Sequence, residues 1–324
     1  MTDFEHPNLL VKEVLLRPAE RAKTALVEMQ SRLSASEYDD LICQGLFVLA
    51  VSHVETMITD TLKYYLCALP DKIDKRTLQV TKQELLAHPY DLIEVQVEKQ
   101  LWSLGYKPIQ DIVEFLCDTL SLDADAAALA APLAELKATR NVLLHNSLVA
   151  NGTYLAAAGA ARRVSKAGDK LTVDGKYLST SLDTLVAFVE TIARLTTTKY
   201  AAYSRLAAIK RLWQFTFKSQ VMPFEDFWVI EENNDCLRFW QKGKYESNIS
   251  STEKTLLGIW RATFSGTSPE FTAFSMYPFD EDNQQKVLFL LSAFRHFSIQ
   301  PPLTFRPNKT PGHVPSKAAA DGDH

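Results

Sequence analysis

Glycine is scarce, with 11 in 324 residues. This argues against an all-β sandwich strung on tight turns and against a Gly-rich loop cradling phosphates. Four cysteines, Cys43, Cys67, Cys117 and Cys236, form no CxxC pair, and three fall at apolar positions of helical patterns. Buried, reduced thiols of a cytosolic protein fit that spacing better than a zinc site or a disulfide framework. The seven histidines supply no HExxH and no pair at metal-ligand spacing beside an acid, so neither a metal nor a cofactor is expected. The patterns GxSxG, GxxxxGK[ST] and GxGxxG are all missing. There is no basic excess either: the net charge is -4, so a nucleic-acid site would have to be a local patch. The longest apolar run, Leu41 to Val51, is broken by Gln44 and Gly45 and is short for a bilayer. The opening Met1-Thr2-Asp3-Phe4-Glu5-His6 lacks the regions of a signal peptide. A cytoplasmic chain with no membrane association is expected.

What is present is a globular composition, 46% apolar and 23% charged, long enough for two domains. Leu9 to Arg32 has a helical pattern, with Pro18 near a first turn or at a break. Ser34-Ala35-Ser36-Glu37 matches a capping box, with Ser34 as cap, opening a helix that Pro70 stops. Along it Phe47, Val51, Val54, Ile58, Leu62 and Tyr65 make a core stripe. Thr81-Lys82-Gln83-Glu84 is a second capping box. Helices follow over Asp91–Leu104, closed by Gly105, and over Pro108–Leu120, with Pro108 suited to a first helical position. Pro132 is read as opening a helical segment from Leu133 to Leu148, and Asn151-Gly152 as a turn. Residues 153–177 are small, basic and glycine-punctuated, with a short hairpin edge at Leu171-Thr172-Val173-Asp174-Gly175. A helix begins near Ser181 and runs through Tyr200.

Beyond Gln220 the character shifts. Phe227–Ile230, the turn 231–235 and Cys236–Trp240 read as a hairpin. A helix over Ser251–Phe264, a strand over Phe271–Tyr277 and a last helix over Asp280–Phe297 follow. The proline-rich tail from Pro301 reads as disordered. Trp228, Trp240 and Trp260, with Phe227 and Phe239, fit the core of a small domain better than a base-stacking surface.

One constellation carries chemistry. Arg140-Asn141-Val142-Leu143-Leu144-His145 places an arginine, an amide and a histidine at the end of a helix, just before the basic loop. An arginine and a histidine at this spacing arise by chance about 0.3 times in such a chain, so context decides. Asn141 and His145 share a helix face, whereas Arg140 and His145 stand about 140° apart on an ideal helix. The plain reading is a surface arginine and a helix-end histidine favoured by the helix dipole. Arg162, Arg163, Lys166 and Lys170 follow closely and form either a phosphate-tracking patch or a solvated loop.

The run Glu135-Leu136-Lys137-Ala138-Thr139-Arg140-Asn141-Val142-Leu143-Leu144-His145-Asn146 resembles the R-x(4–6)-H helix of HEPN (higher eukaryotes and prokaryotes nucleotide-binding) domains. The polar residue after the arginine matches. So does the order around it: a long helix carrying Glu55 at a recurrent acidic position, further helices, the motif helix, a turn, the basic stretch and a closing helix. The resemblance spans roughly Ser34 to Tyr200. It implies a mainly α fold, a HEPN-like helical bundle over 34–220. Around it would lie an N-terminal helical extension (1–33), a small C-terminal α+β module (221–300) and a tail (301–324). It also implies a metal-independent endoribonuclease acting on RNA, a homodimer in which two motif helices meet, and a toxin or antiviral-defence setting with an antitoxin or regulatory partner. The implied catalytic residues are Arg140, His145 and Asn141, with Arg162, Arg163, Lys166 and Lys170 binding RNA. Asn141 would orient His145 or hold a phosphate oxygen. A non-catalytic nucleotide-, RNA- or partner-binding scaffold of the same fold is the alternative.

Overall fold

Helical capping and apolar periodicity build most of the molecule. The computed structural model describes residues 8, 10–35, 38–73, 80–87, 92–204, 207 and 211, together with 228–233, 236–241, 245–247, 262–267, 272–276 and 305–307. The chain is mainly helical. Helix α1 spans Lys12–Ala35 and buries Val14, Leu15, Pro18, Ala19, Ala22, Leu26 and Met29, a stripe at three- and four-residue steps. Pro18 lies inside the helix and removes one backbone bond, yet the helix continues because buried residues on both sides anchor it. Helix α1 packs on α2 (Asp40–Ala68) and α8 (Gly175–Lys199), and its buried residues join the common core. Residues 12–35 therefore share one core with α2 and α8.

Asp39, not Ser34, starts α2: its carboxylate accepts from the Ile42 amide at 2.9 Å, while Ser34 ends α1 and donates to the Gln30 carbonyl. The whole expected stripe from Phe47 to Tyr65 is buried. By length and composition α2 would suffice to cross a membrane, so the helix is longer than the apolar run Leu41–Val51 implied; here it lies at the centre of the bundle. A 3₁₀ turn at Pro70–Lys72 follows. Helix α3 (Lys82–Ala87) has the capping box read from the sequence. The Thr81 amide donates to Glu84 Oε2 at 2.8 Å and the Glu84 amide to Thr81 Oγ1 at 3.2 Å. The ion pair to Lys99, with those hydrogen bonds, holds the Glu84 carboxyl down to about 2.

Helix α4 (Leu92–Gly105) buries Gln96, Val97, Leu101 and Leu104, and α5 (Ile109–Thr119) begins one residue after Pro108, which is its N-cap. Helix α6 spans Ala126–Asn146 with Asp125 as cap, accepting from the Ala128 amide at 3.1 Å. Pro132 thus lies within this helix instead of opening it, because the alanine run and the Asp125 cap start it earlier. Asn151-Gly152 is likewise no turn: the Asn151 side chain caps α7 (Gly152–Ala158), which runs into a 3₁₀ turn at Gly159–Ala161. Asp174 caps α8, so Gly175 opens a helix instead of a hairpin and α8 starts six residues before Ser181. An antiparallel bridge between Val149 and Lys170 is the extended pairing that does form here.

Strands β1 (Trp228–Asn233) and β2 (Cys236–Gln241) pair as the expected hairpin, and β5 (Thr272–Met276) matches the expected later strand. With β4 (Ala262–Thr267) they form an antiparallel sheet in the order β1-β2-β5-β4. Its register aligns Ile230, Phe239, Phe274 and Phe264 across the strands. Residues 262–264, expected to end a helix, are strand, consistent with their Thr and Phe content. The rest of that helix lies outside the described residues, as do the last helix over 280–297, Phe227 and Trp260. In the tail read as disordered, β6 (Phe305–Pro307) pairs with β3 (Tyr245–Ser247).

Candidate functional site

Helix α6 presents two faces with different chemistry. On one, Lys137 and Arg140, three residues apart, both meet Glu55 of α2. Lys137 Nζ is 3.4 Å from Glu55 Oε1 and Arg140 Nη2 is 3.4 Å from Glu55 Oε2. The pairing is internal and mostly enclosed, with side-chain exposures of 12% for Lys137 and 25% for both Arg140 and Glu55. Arg140 Nη1 donates to Asn141 Oδ1 at 3.0 Å, and its buried Nε has no partner among the described residues. The guanidinium is therefore held in place by Glu55 and Asn141, and its unpartnered Nε is enclosed in the protein. Lys137 Nζ also lies 3.5 Å from the Gly105 carbonyl and 3.2 Å from that of Lys107, so it closes the C-terminal end of α4.

His145 lies one turn further on, exposed, in the last turn of α6. Helix α6 stays regular through Asn146, so the divergence expected between Arg140 and His145 persists. Among the described residues no hydrogen bond or ion pair reaches His145, from Asn141 or any other group. Asn141 uses its carbonyl oxygen on Arg140 instead.

The backbone immediately after the motif is strained. Ser147 and Leu148 have φ of 49° and 64°, the left-handed region, which is uncommon for residues other than glycine. Burial of Leu148 and a Leu171 amide bond to its carbonyl at 2.8 Å hold this reversal, together with the Ala150 amide bond to Asp169 at 2.9 Å. The basic loop is thereby fixed beside the end of α6, with Arg162, Lys166 and Lys170 exposed and in no ion pair among the described residues.

Arg163 departs from that set. Its Nε donates to Glu135 Oε1 at 2.8 Å, its Nη1 to the Thr172 carbonyl and its Nη2 to Thr139, and its guanidinium lies 3.7 Å from the Tyr177 ring centroid. Glu135, buried in α6, also accepts from the hydroxyls of Thr139, Tyr154 and Tyr177. Burial, reinforced by the Glu135 charge, pushes the Tyr177 phenol well above its ordinary value. Burial alone would lower Arg163, but Tyr177 and Glu135 outweigh it and raise the guanidinium. Arg163 is thus a tie between the basic loop and the motif helix, not a free phosphate contact. Burial also raises the Cys43 and Cys117 thiols, which suits core residues better than nucleophiles.

Sequence reasoning missed Lys137 and the Glu135 network. Lys137 was detectable as a cation three residues before Arg140; the network joins residues up to 42 positions apart and has no local signal. Among the described residues, no group of three or more His, Cys, Asp or Glu side chains converges as a metal site. The chain matches no protein-family model, no curated protein and no solved structure.

Proposed function

We propose that the protein is a metal-independent endoribonuclease with a HEPN-like helical domain, acting as a homodimer in which two copies of α6 face one cleft. The observation that carries this reading is a guanidinium held in place by Glu55 and Asn141, five residues before an exposed His145 that no hydrogen bond or ion pair reaches among the described residues. RNA brings its own nucleophile, the 2′-hydroxyl. The protein then needs a group to take that proton, a group to protonate the leaving 5′-oxygen, and a cation for the phosphorane charge. Arg140 grips the phosphate, forking toward two oxygens. His145 of one subunit removes the 2′-proton and that of the other protonates the 5′-oxygen. The products are a 2′,3′-cyclic phosphate and a 5′-hydroxyl. Exposed Arg162, Lys166 and Lys170 follow the strand beyond the cleft.

Dimerisation agrees with the surface chemistry. Leu144, next to His145, is 50% exposed, and Leu41 and Leu49 of α2 are 77% and 46% exposed, apolar area that a second copy would cover. The C-terminal part, a small α+β module, serves recognition or regulation. The setting, a cytoplasmic toxin or antiviral-defence effector with an antitoxin or regulatory partner, rests on the HEPN resemblance alone.

The test is purified protein with mixed-sequence RNA in EDTA, followed by end analysis. Cyclic-phosphate ends formed in EDTA support the reading, and cleavage that EDTA stops refutes it. The second reading, a non-catalytic scaffold of the same fold, draws on the intramolecular Glu55–Arg140 pair. It leads if no RNA is cut.

A further inference from the structure

Helix α4 buries Val97, Leu101 and Leu104 on one stripe, and Trp102 lies off it, 72% exposed. Tyr106, just past the helix end, is 77% exposed. The two rings touch edge to face, with centroids 5.8 Å apart at 67°. One exposed aromatic is ordinary; two large ones in mutual contact form a surface.

Its location gives that surface a meaning. Lys137 Nζ meets the carbonyls of Gly105 and Lys107, one on each side of Tyr106, and the same ammonium faces Glu55, whose other oxygen holds Arg140. One lysine thus joins the backbone around Tyr106 to the carboxylate that orients the proposed phosphate-gripping arginine. Lys107 is exposed and in no ion pair among the described residues. Flat apolar faces beside cationic side chains are the chemistry that holds unpaired bases: the rings stack on any base and the cations take the phosphates. A duplex keeps its base faces stacked and offers none.

We propose that Trp102 and Tyr106 form a stacking platform for an unpaired base of the RNA strand whose phosphate Arg140 grips, so that the site takes single-stranded RNA or loops. This rests on the ribonuclease reading for the identity of the ligand. The probe is a short fluorescent RNA carrying 2′-O-methyl groups, which lacks the nucleophile and cannot be cut, titrated with the full chain and followed by anisotropy. A duplex of the same sequence is the comparison. Trp102→Ala with Tyr106→Ala weakens single-strand binding by roughly 5- to 150-fold, while Trp102→Phe retains most of it and duplex binding is unchanged. Both side chains are exposed, so circular dichroism stays that of the unsubstituted protein.

Undiminished binding by the double variant overturns the platform, as does absence of single-strand binding by the unsubstituted protein. A changed sedimentation coefficient with RNA affinity intact also overturns it and assigns the pair to a protein contact. The two readings separate cleanly. A protein that cuts RNA with the same KM in both forms loses the platform and keeps the ribonuclease. One that binds through Trp102 and Tyr106 but never cuts keeps the platform and loses the ribonuclease.

Discussion

Replacing Arg163 with alanine removes the cation from a nearly enclosed carboxylate. Glu135 would keep hydroxyl donors from Thr139, Tyr154 and Tyr177 but lose its charged partner at 2.8 Å, and the Thr172 carbonyl would lose its donor. Removing one member of a buried pair typically costs about 3–5 kcal/mol. Here the side chains of Arg163 and Glu135 are 25% and 8% exposed, so the arginine is partly solvated and the three hydroxyls soften the loss. The expected destabilisation is about 2–4 kcal/mol, counting the cation–π contact over Tyr177. For a helical unit of this size that corresponds to about 5–15 °C in Tm. Urea and thermal unfolding followed by circular dichroism measure it, with Arg162→Ala as control at under about 0.5 kcal/mol. Glu135→Gln combined with Arg163→Ala should cost clearly less than the sum of the two single changes. If Arg163→Ala unfolds like Arg162→Ala, the argument that Arg163 ties the basic loop to the motif helix fails.

The Tyr177 phenol is raised in the folded state, chiefly by burial and then by Glu135, so its stabilising contribution is complete below its ordinary value of 10.0 and is lost as pH rises through the folded value. Denaturant titrations from about pH 8 to about pH 11.5 should show stability falling at the alkaline end, and Tyr177→Phe should make that fall shallower. Tyr65, Tyr154 and Tyr200 and the Cys43 and Cys117 thiols, raised by burial as well, contribute to what is left of it. An unchanged alkaline slope in Tyr177→Phe would show that this phenol is not the group responsible. Arg140→Ala should lower cleavage on the order of 10²–10³-fold with little change in fold, because Glu55 keeps Lys137. Arg140→Lys should rescue poorly, since an ammonium cannot fork toward two oxygens. Rescue to full rate would mean that only charge is needed there.

The periodic part of the fold is legible in the sequence. The α2 stripe and the Thr81–Glu84 capping box needed nothing beyond apolar spacing and local hydrogen-bonding chemistry. The misreadings share a cause. Ser34, Pro132, Asn151-Gly152 and Asp174-Gly175 are residue types that serve equally as helix caps, helix interiors near a start, or turns. Asp39, Asp125, Asn151 and Asp174 became caps because the apolar faces behind them were buried by distant segments. Local sequence cannot weigh that. Arg140, Asn141 and His145 stand out by pattern, but their contacts do not: Asn141 accepts from Arg140, and no hydrogen bond reaches His145 among the described residues. Arg163 and Arg162 are adjacent and alike in sequence, yet one is bound by Glu135 and the other faces solvent. Trp102 could have been noticed as a large apolar residue off the α4 stripe.

The central claim, that His145 moves the proton, is tested most directly by the rate of RNA cleavage in EDTA by His145→Ala beside the unsubstituted protein. His145 is exposed and makes no hydrogen bond among the described residues, so its loss costs the helix end no more than about 1 kcal/mol of dipole interaction. Circular dichroism and sedimentation should be unchanged. Formation of 2′,3′-cyclic phosphate ends should fall roughly 10²–10⁴-fold, the usual contribution of a general acid–base group. Undiminished cleavage by the His145→Ala protein would contradict the account.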